Sequence, residues 1–96
     1  MSNKNRMKRG YVAICVYTAE YGCPEFEFVE YFKSRKTAID YIAESIGREW
    51  ESNDCLTRNE DAIERSVEEL KETGETRRDY GNGNLYVWRL EKVYNP

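Results

Sequence analysis

Residues 11–50 constrain the fold more than any other part of this chain, because they predict two strands, a tight turn and a helix in direct succession. Residues 11–19 are apolar or aromatic on both alternating faces, which indicates a strand covered on both faces or central in a sheet. Residues 25–32 alternate more cleanly, so one face is predicted to be solvated, with a bulge near Val29. The short Tyr-Gly-Cys-Pro segment at 21–24 between them favours an antiparallel hairpin.

Two amphipathic helices are predicted after the hairpin. The first follows Ser34, an N-cap candidate, and carries apolar side chains at helical spacing as far as Trp50. The second begins after Asn59 as its cap, has a narrow apolar stripe and an acidic outer face, and ends at Gly74. The polar residues 52–58, which show no hydrophobic pattern, are predicted to link the two helices.

The last part of the chain predicts a closing strand. The Gly-Asn-Gly-Asn segment at 81–84 favours a tight hairpin turn, and residues 85–93 alternate as a strand that we expect to pair with the first. The predicted fold is therefore α+β: a three- or four-stranded, mainly antiparallel sheet in the order β-β-α-α-β-β, with two helices packed on one face. The predicted core consists of Val12, Ile14, Val16, Phe26, Phe28, Ile39, Ile42, Ile46, Val67, Leu70, Val87 and Leu90.

Length and composition predict one globular domain. The chain has 96 residues, of which 40% are hydrophobic and 34% charged, a balance typical of a folded protein. Residues 1–9 are predicted to form a flexible basic tail, and residues 10–96 a single α+β domain with an acidic surface. No apolar run approaches the roughly 20 residues that span a bilayer, and the N-terminus lacks the apolar segment of a signal peptide, so a cytoplasmic location is predicted.

The residue types present argue against most catalytic and metal chemistry. The chain has no histidine and three cysteines without a C-x-x-C spacing, so we expect no metal and no cofactor. No phosphate-binding loop or nucleophile elbow occurs, and we predict a protein that is not an enzyme. Cys15 is predicted to be a small buried side chain, and Cys23 and Cys55 reduced thiols.

Binding to another protein is the function that the residues favour. The second helix carries its acids on the outer face, and the number of tyrosines exceeds what a core of this size can hide. An acidic helix face beside aromatic anchors would complement a basic cleft of the kind that holds nucleic acid. The predicted partner-binding residues are Glu64, Glu68, Glu69, Glu72, Tyr21 and Tyr31.

Two alternatives stay open from the sequence. One is a nucleic-acid-binding module that uses Arg77, Arg78, Trp88 and the basic tail, although the acidic body would repel a phosphate backbone. The other is a homodimer that binds a nucleotide signal at its interface, since such pockets need few residues. No membrane partner is expected.

The pattern of residues 11–42 resembles small α+β proteins carried by phages and other mobile elements of bacteria. The shared features are an aliphatic strand, an aromatic-rich second strand ending at Phe32, and then Ser34, Ala38, Tyr41 and Ile42; residues 85–90 resemble the final strand of the same group. The resemblance covers roughly half of the chain and assigns no functional residue. It implies an inhibitor of host defence, such as an anti-CRISPR protein, acting in the bacterial cytosol on a nucleic-acid-binding effector. The basic tail departs from what a pure nucleic-acid mimic would carry.

Overall fold

The chain folds into one four-stranded sheet with two helices. The computed structural model describes residues 8–52, 59–80 and 83–95. The elements in chain order are β1 (Lys8–Thr18), β2 (Glu25–Phe32), α1 (Arg35–Ser52), α2 (Glu60–Thr73), β3 (Glu75–Asp79) and β4 (Leu85–Asn95). This is the predicted α+β fold with the predicted order of elements. The strand β1 starts at Lys8, so Lys8 and Arg9 belong to the sheet and not to the predicted tail.

All neighbouring strands of the sheet are antiparallel, in the spatial order β2-β1-β4-β3. The pairing of the closing strand with the first is thus confirmed, and β2 and β3 lie at opposite edges. Cys15 pairs with Phe28 and Val16 with Phe26, so Glu27 is the extra residue of a β-bulge. The bulge lies at Glu27 rather than near Val29.

Local capping interactions lie at the start of both helices and at the end of α2, where the sequence predicts them. The Ser34 hydroxyl accepts a long hydrogen bond of 3.4 Å from the Thr37 amide at the start of α1. The Asn59 side chain accepts a 3.0 Å hydrogen bond from the Ala62 amide at the start of α2. Gly74 ends α2 in the left-handed region with φ 82°, and its N–H donates to the carbonyl of Leu70 at 2.8 Å. Of the predicted link at 52–58, Ser52 belongs to α1 and residues 53–58 lie outside the described residues.

Two tight turns connect the strands. The turn between β1 and β2 is closed by a 2.9 Å hydrogen bond from the Gly22 amide to the Ala19 carbonyl, and Tyr21 adopts a positive φ of 61° within it. Between β3 and β4, the Tyr80 amide donates to the Asn84 carbonyl at 3.1 Å, and Gly83 has φ 90°. Positions 81 and 82 of the predicted Asn-Gly turn lie outside the described residues.

The core lies between one face of the sheet and the two helices. From α1 it contains Ile39, Ile42, Ile46 and Trp50, and from α2 Ala62, Ile63 and Leu70. Phe28, Val67 and Leu90 are partly buried against it. The part of the predicted core that is confirmed consists of Phe28, Ile39, Ile42, Ile46, Val67, Leu70 and Leu90.

The predicted core was wrong about which face of β1 and β4 turns toward the helices. The buried strand residues are Ala13, Cys15, Tyr86 and Trp88, whereas Val12, Ile14, Val16 and Val87 point to the opposite face and Phe26 is 70% exposed. The register explains the choice, since Cys15 pairs with Trp88 and Ala13 with Leu90. Small side chains on β1 let α1 lie close to the sheet, while the large Trp88 fills the adjacent space.

Candidate protein-binding groove

The second helix presents a line of carboxylates to solvent because its apolar residues all turn inward. Ala62, Ile63 and Leu70 are buried, which leaves Glu64, Glu68 and Glu72 exposed on the outer side. These three residues are spaced by four, so they follow one another along the helix at intervals of about 6 Å. We call them the acidic ridge.

The acidic ridge has few partners of its own. Glu68 forms an exposed ion pair with Lys71 at 3.5 Å, whereas Glu64 and Glu72 make no hydrogen bond or ion pair within residues 8–52, 59–80 and 83–95. Glu69, the fourth predicted acid, accepts a 2.7 Å hydrogen bond from the hydroxyl of the buried Thr76. Glu69 therefore joins α2 to β3, and Glu64 and Glu72 are the ridge residues whose charge is free to meet a partner.

A groove of about 640 Å³ lies between α2 and β3, and we call it the α2/β3 groove. Its helix wall includes the acidic ridge and Glu69, and its strand wall is formed by the three consecutive residues Thr76, Arg77 and Arg78. Successive strand residues point to opposite faces, so a groove that touches all three must run along the edge of the strand. β3 is an edge strand of the sheet, which leaves this side open.

Both arginines of the strand wall are already engaged, whereas Arg65 on the helix wall makes no ion pair within the described part of the chain. The Arg77 guanidinium pairs with Glu75 at 2.8 Å. The Arg78 guanidinium lies over the Trp50 ring, 4.3 Å from its centroid, and its Nε is buried without a hydrogen-bond acceptor among the described residues. Such a stacked cation is held in place by the indole. The helix wall of the groove thus has more carboxylates than its single cation, Arg65, while the positive charges of the strand wall are held by the protein itself.

The structure separates the predicted tyrosine anchors from the predicted acids. Tyr21 lies in the turn between β1 and β2 and is 99% exposed, and Tyr31 is 45% exposed on β2. α2 contacts β3, β4 and α1 but neither β1 nor β2. Tyr31 also points to the sheet face opposite the helices, because its neighbour Phe32 packs into the core. The prediction that these tyrosines lie beside the acidic face was therefore wrong, since β2 is at the far edge of the sheet.

Trp88 cannot take the role that the nucleic-acid alternative gives it. Its side chain is fully buried, and its indole Nε1 donates a 3.0 Å hydrogen bond to the Ser45 hydroxyl. A base can stack only on an exposed ring. Arg77 and Arg78 lie side by side on β3 as that alternative requires, but on the rim of a groove whose other wall is acidic.

Cys15 is buried as predicted, which removes it as a nucleophile. The side chain has no exposed surface. Burial, with smaller contributions from Glu27 and Glu49, raises the pKa of the thiol to about 12. Cys23 is a free, exposed cysteine, and Cys55 lies outside the described residues. Within the described ranges, no three Cys, Asp or Glu side chains are grouped so that they could hold a metal ion.

The stacking of Arg78 on Trp50 is a part of the site that the sequence did not predict. Trp50 ends the apolar stripe of α1, and its ring also meets Tyr80 edge-on with centroids 5.6 Å apart. Sequence periodicity indicated only that Trp50 is buried. No signal in the sequence pairs residue 50 with residue 78, because the contact depends on where β3 joins the sheet.

Comparison with protein families, with curated proteins and with solved structures finds no significant match to this chain. Among the described residues, no helix is both long and apolar enough to cross a membrane.

Proposed function

We propose that this protein is a non-enzymatic inhibitor that binds a basic surface of another protein through the acidic ridge, occupying a cleft that otherwise holds nucleic acid. The observation that carries the proposal is the row of exposed carboxylates at Glu64, Glu68 and Glu72, two of which have no partner within the described part of the chain. Negative charges spaced about 6 Å apart along a rigid helix can meet several lysines or arginines at once.

The groove beside the ridge supports the same function. A partner's basic side chain that enters the α2/β3 groove would meet the acidic ridge on the helix wall, where its three carboxylates outnumber Arg65. Arg77 and Arg78 on the strand wall are held by Glu75 and Trp50. The free edge of β3 adds backbone donors and acceptors that an extended segment could pair with. The carboxylates can therefore attract a basic partner protein, and the groove can select a partner segment that fits it.

The chain's resemblance to small mobile-element proteins adds the class of partner. On that basis the proposed target is a bacterial nucleic-acid-binding defence effector, and the proposed location is the cytosol of the bacterial host. Direct binding of nucleic acid has less support, because Trp88 is buried and Arg77 is paired.

The test compares two triple charge reversals. Glu64→Lys/Glu68→Lys/Glu72→Lys removes the ridge, and Glu25→Lys/Glu30→Lys/Glu44→Lys changes the net charge equally at exposed acids on β2 and α1. Each tagged protein is incubated with nuclease-treated bacterial lysate, the retained protein is identified, and its affinity is measured. Exposed ion pairs contribute about 0.2–1 kcal/mol each, so we expect the ridge variant to bind about three- to a hundredfold more weakly.

A competition experiment then tests the inhibitor function. The retained partner is bound to a fluorescent DNA or RNA duplex, and wild-type protein is added. Release of the duplex by the wild type and the control variant, but not by the ridge variant, is the expected result. Equal binding by the two triple variants would reject the ridge, and a ternary complex with nucleic acid would reject occupation of the cleft.

A further inference from the structure

The sheet has a second face that neither α1 nor α2 covers. Residues of β1, β2 and β4 that alternate with the core positions point to this side, and both helices pack on the other. We call this side the open face. Its apolar members are Val12, Ile14, Val16, Phe26, Val29, Tyr31, Leu85, Val87 and Val93.

The open face is apolar to an extent that a solvated sheet face is not. Phe26 is 70% exposed, Val29 53% and Tyr31 45%. Val16 pairs with Phe26, Ile14 with Val29 and Val12 with Tyr31, so these side chains form a continuous surface across two strands. Val87 of β4 pairs with Val16 and extends this surface across a third strand. Single exposed apolar residues are common, but a contiguous patch marks an interface.

The sequence of β1 gives an independent argument. An antiparallel strand with one solvated face alternates apolar and polar residues, whereas β1 places Val12, Ile14 and Val16 opposite the core residues Ala13 and Cys15. This pattern is typical of a strand covered on both faces. In this fold the two helices cover only the face that carries Ala13 and Cys15.

Two segments outside the described ranges are mostly polar. Residues 1–7 have the sequence MSNKNRM, with only two apolar side chains, and residues 53–58 have the sequence NDCLTR. Neither segment has enough apolar surface to bury nine apolar residues. The polarity of these two segments favours another molecule as the cover.

The charges beside the apolar area favour a second copy of the same chain. On the open face of β3 and β4, Arg89 pairs with Glu91 at 2.6 Å and with Glu75 at 3.6 Å, and Arg77 pairs with Glu75 at 2.8 Å. Asp79, which pairs with Leu85, lies on the same face, so two arginines stand against three carboxylates. The charges cancel to within one, and two copies can approach without strong repulsion. In a two-fold interface the same patch faces itself, and an apolar area bordered by balanced charge is complementary to its own copy.

The size of the open face fits a small homodimer interface. Strands β1 and β4 each have 11 residues. At about 3.3 Å per residue these two strands are about 36 Å long, and β2, with 8 residues, is about 26 Å long. With strands about 4.8 Å apart, the three cover roughly 470 Å² as a flat area. Protruding side chains such as Phe26 enlarge the accessible area toward the roughly 800 Å² per partner of a standard interface.

We propose that this protein forms a two-fold symmetric homodimer in which the open faces of two sheets pack against each other. Sheets packed in this way lie about 10 Å apart, with interdigitating side chains. The helices then lie on the two outer surfaces, and each copy presents its acidic ridge to solvent. The dimer does not depend on the function proposed for the ridge.

The oligomeric state tests the proposal directly. Sedimentation equilibrium of the wild type over about 1–200 µM is expected to give twice the 11.4 kDa chain mass. Phe26→Lys/Val29→Lys is expected to give the monomer mass, because both side chains are largely exposed in one copy and a lysine pair would be buried in the dimer. Tyr21→Lys/Tyr94→Lys is the matched control, since both tyrosines are exposed and lie off the open face; it is expected to stay dimeric.

Two further measurements keep the result unambiguous. The thermal midpoint of wild-type protein is expected to rise with concentration, as it does for a dimer that dissociates on unfolding, and this needs no variant. The ridge variant, Glu64→Lys/Glu68→Lys/Glu72→Lys, is expected to remain a dimer although it no longer binds the target protein of the ridge. This result would separate the dimer from the proposed function. A wild type that is monomeric at about 200 µM, or a Phe26→Lys/Val29→Lys variant that is folded and dimeric, would overturn the proposal.

Discussion

The buried hydrogen bond between α1 and β4 makes a prediction whose size follows from the structure. The indole Nε1 of Trp88 donates to the Ser45 hydroxyl at 3.0 Å; Trp88 is fully buried and Ser45 is 2% exposed. Ser45→Ala removes one oxygen and leaves the indole N–H without its acceptor in the core. An unsatisfied buried donor costs about 1–3 kcal/mol, and in a domain of this size a loss of about 2 kcal/mol lowers the melting temperature by about 8–16 °C.

The assay is urea denaturation followed by tryptophan fluorescence, with thermal unfolding by circular dichroism as a second readout. Ser66→Ala in α2 is the matched control: it is the same change within a helix, at a half-buried hydroxyl with no hydrogen bond within the described part of the chain. We expect the control to lie within about 0.5 kcal/mol of wild type. A Ser45→Ala variant no less stable than Ser66→Ala would refute the argument.

A double-mutant cycle separates the hydrogen bond from other effects of the substitution. In a Trp88→Phe background the N–H donor is absent, so Ser45→Ala should then cost less than it does in the wild type. The expected coupling energy between positions 45 and 88 is about 1 kcal/mol. Identical costs of Ser45→Ala in both backgrounds would show that the hydrogen bond does not contribute.

Three further predictions concern single residues. Asn59→Ala removes the acceptor for the Ala62 amide and is expected to lower the free energy of unfolding by about 1 kcal/mol in urea denaturation. Gly74→Ala places a Cβ at φ 82°, 3.3 Å from the Leu90 carbonyl oxygen, and is expected to cost about 1–2 kcal/mol in the same assay; no loss would contradict the left-handed cap. The raised pKa of Cys15, from 9.0 to about 12, contributes stability that is fully present below pH 9 and is lost as the pH rises toward 12. The free energy of unfolding should therefore fall by up to about 1.4 kcal/mol per pH unit more steeply in the wild type than in Cys15→Ala. Equal slopes from pH 9 to 11 would contradict this.

Features that depend on residues close together in the chain could be predicted from the sequence. The caps at Asn59 and Gly74, the hairpin of β1 and β2, and the spacing of Glu64, Glu68 and Glu72 along one helix face all follow from side chains within a few residues of each other. Helix geometry and turn chemistry are local, so the fold class and the acidic ridge follow from local patterns.

The face of β1 that enters the core could not be predicted in this way. Both faces are apolar, so periodicity gives no preference between Val12, Ile14 and Val16 on one side and Ala13 and Cys15 on the other. The packing decides it, because α1 can approach the sheet only over small side chains, and Trp88 on the neighbouring strand fills the space beside them.

Some residues of the candidate site could be predicted from local patterns, and others are brought there only by the tertiary structure. The sequence by itself determined the carboxylates of the ridge and their common face. Only the tertiary structure, through the strand order β2-β1-β4-β3, decided that Arg77 and Arg78 border this ridge while Tyr31 lies at the far edge on the opposite face. The pairing of the last strand with the first was predicted, but which face of each strand turns toward the helices depends on contacts between distant segments, which short-range patterns do not encode.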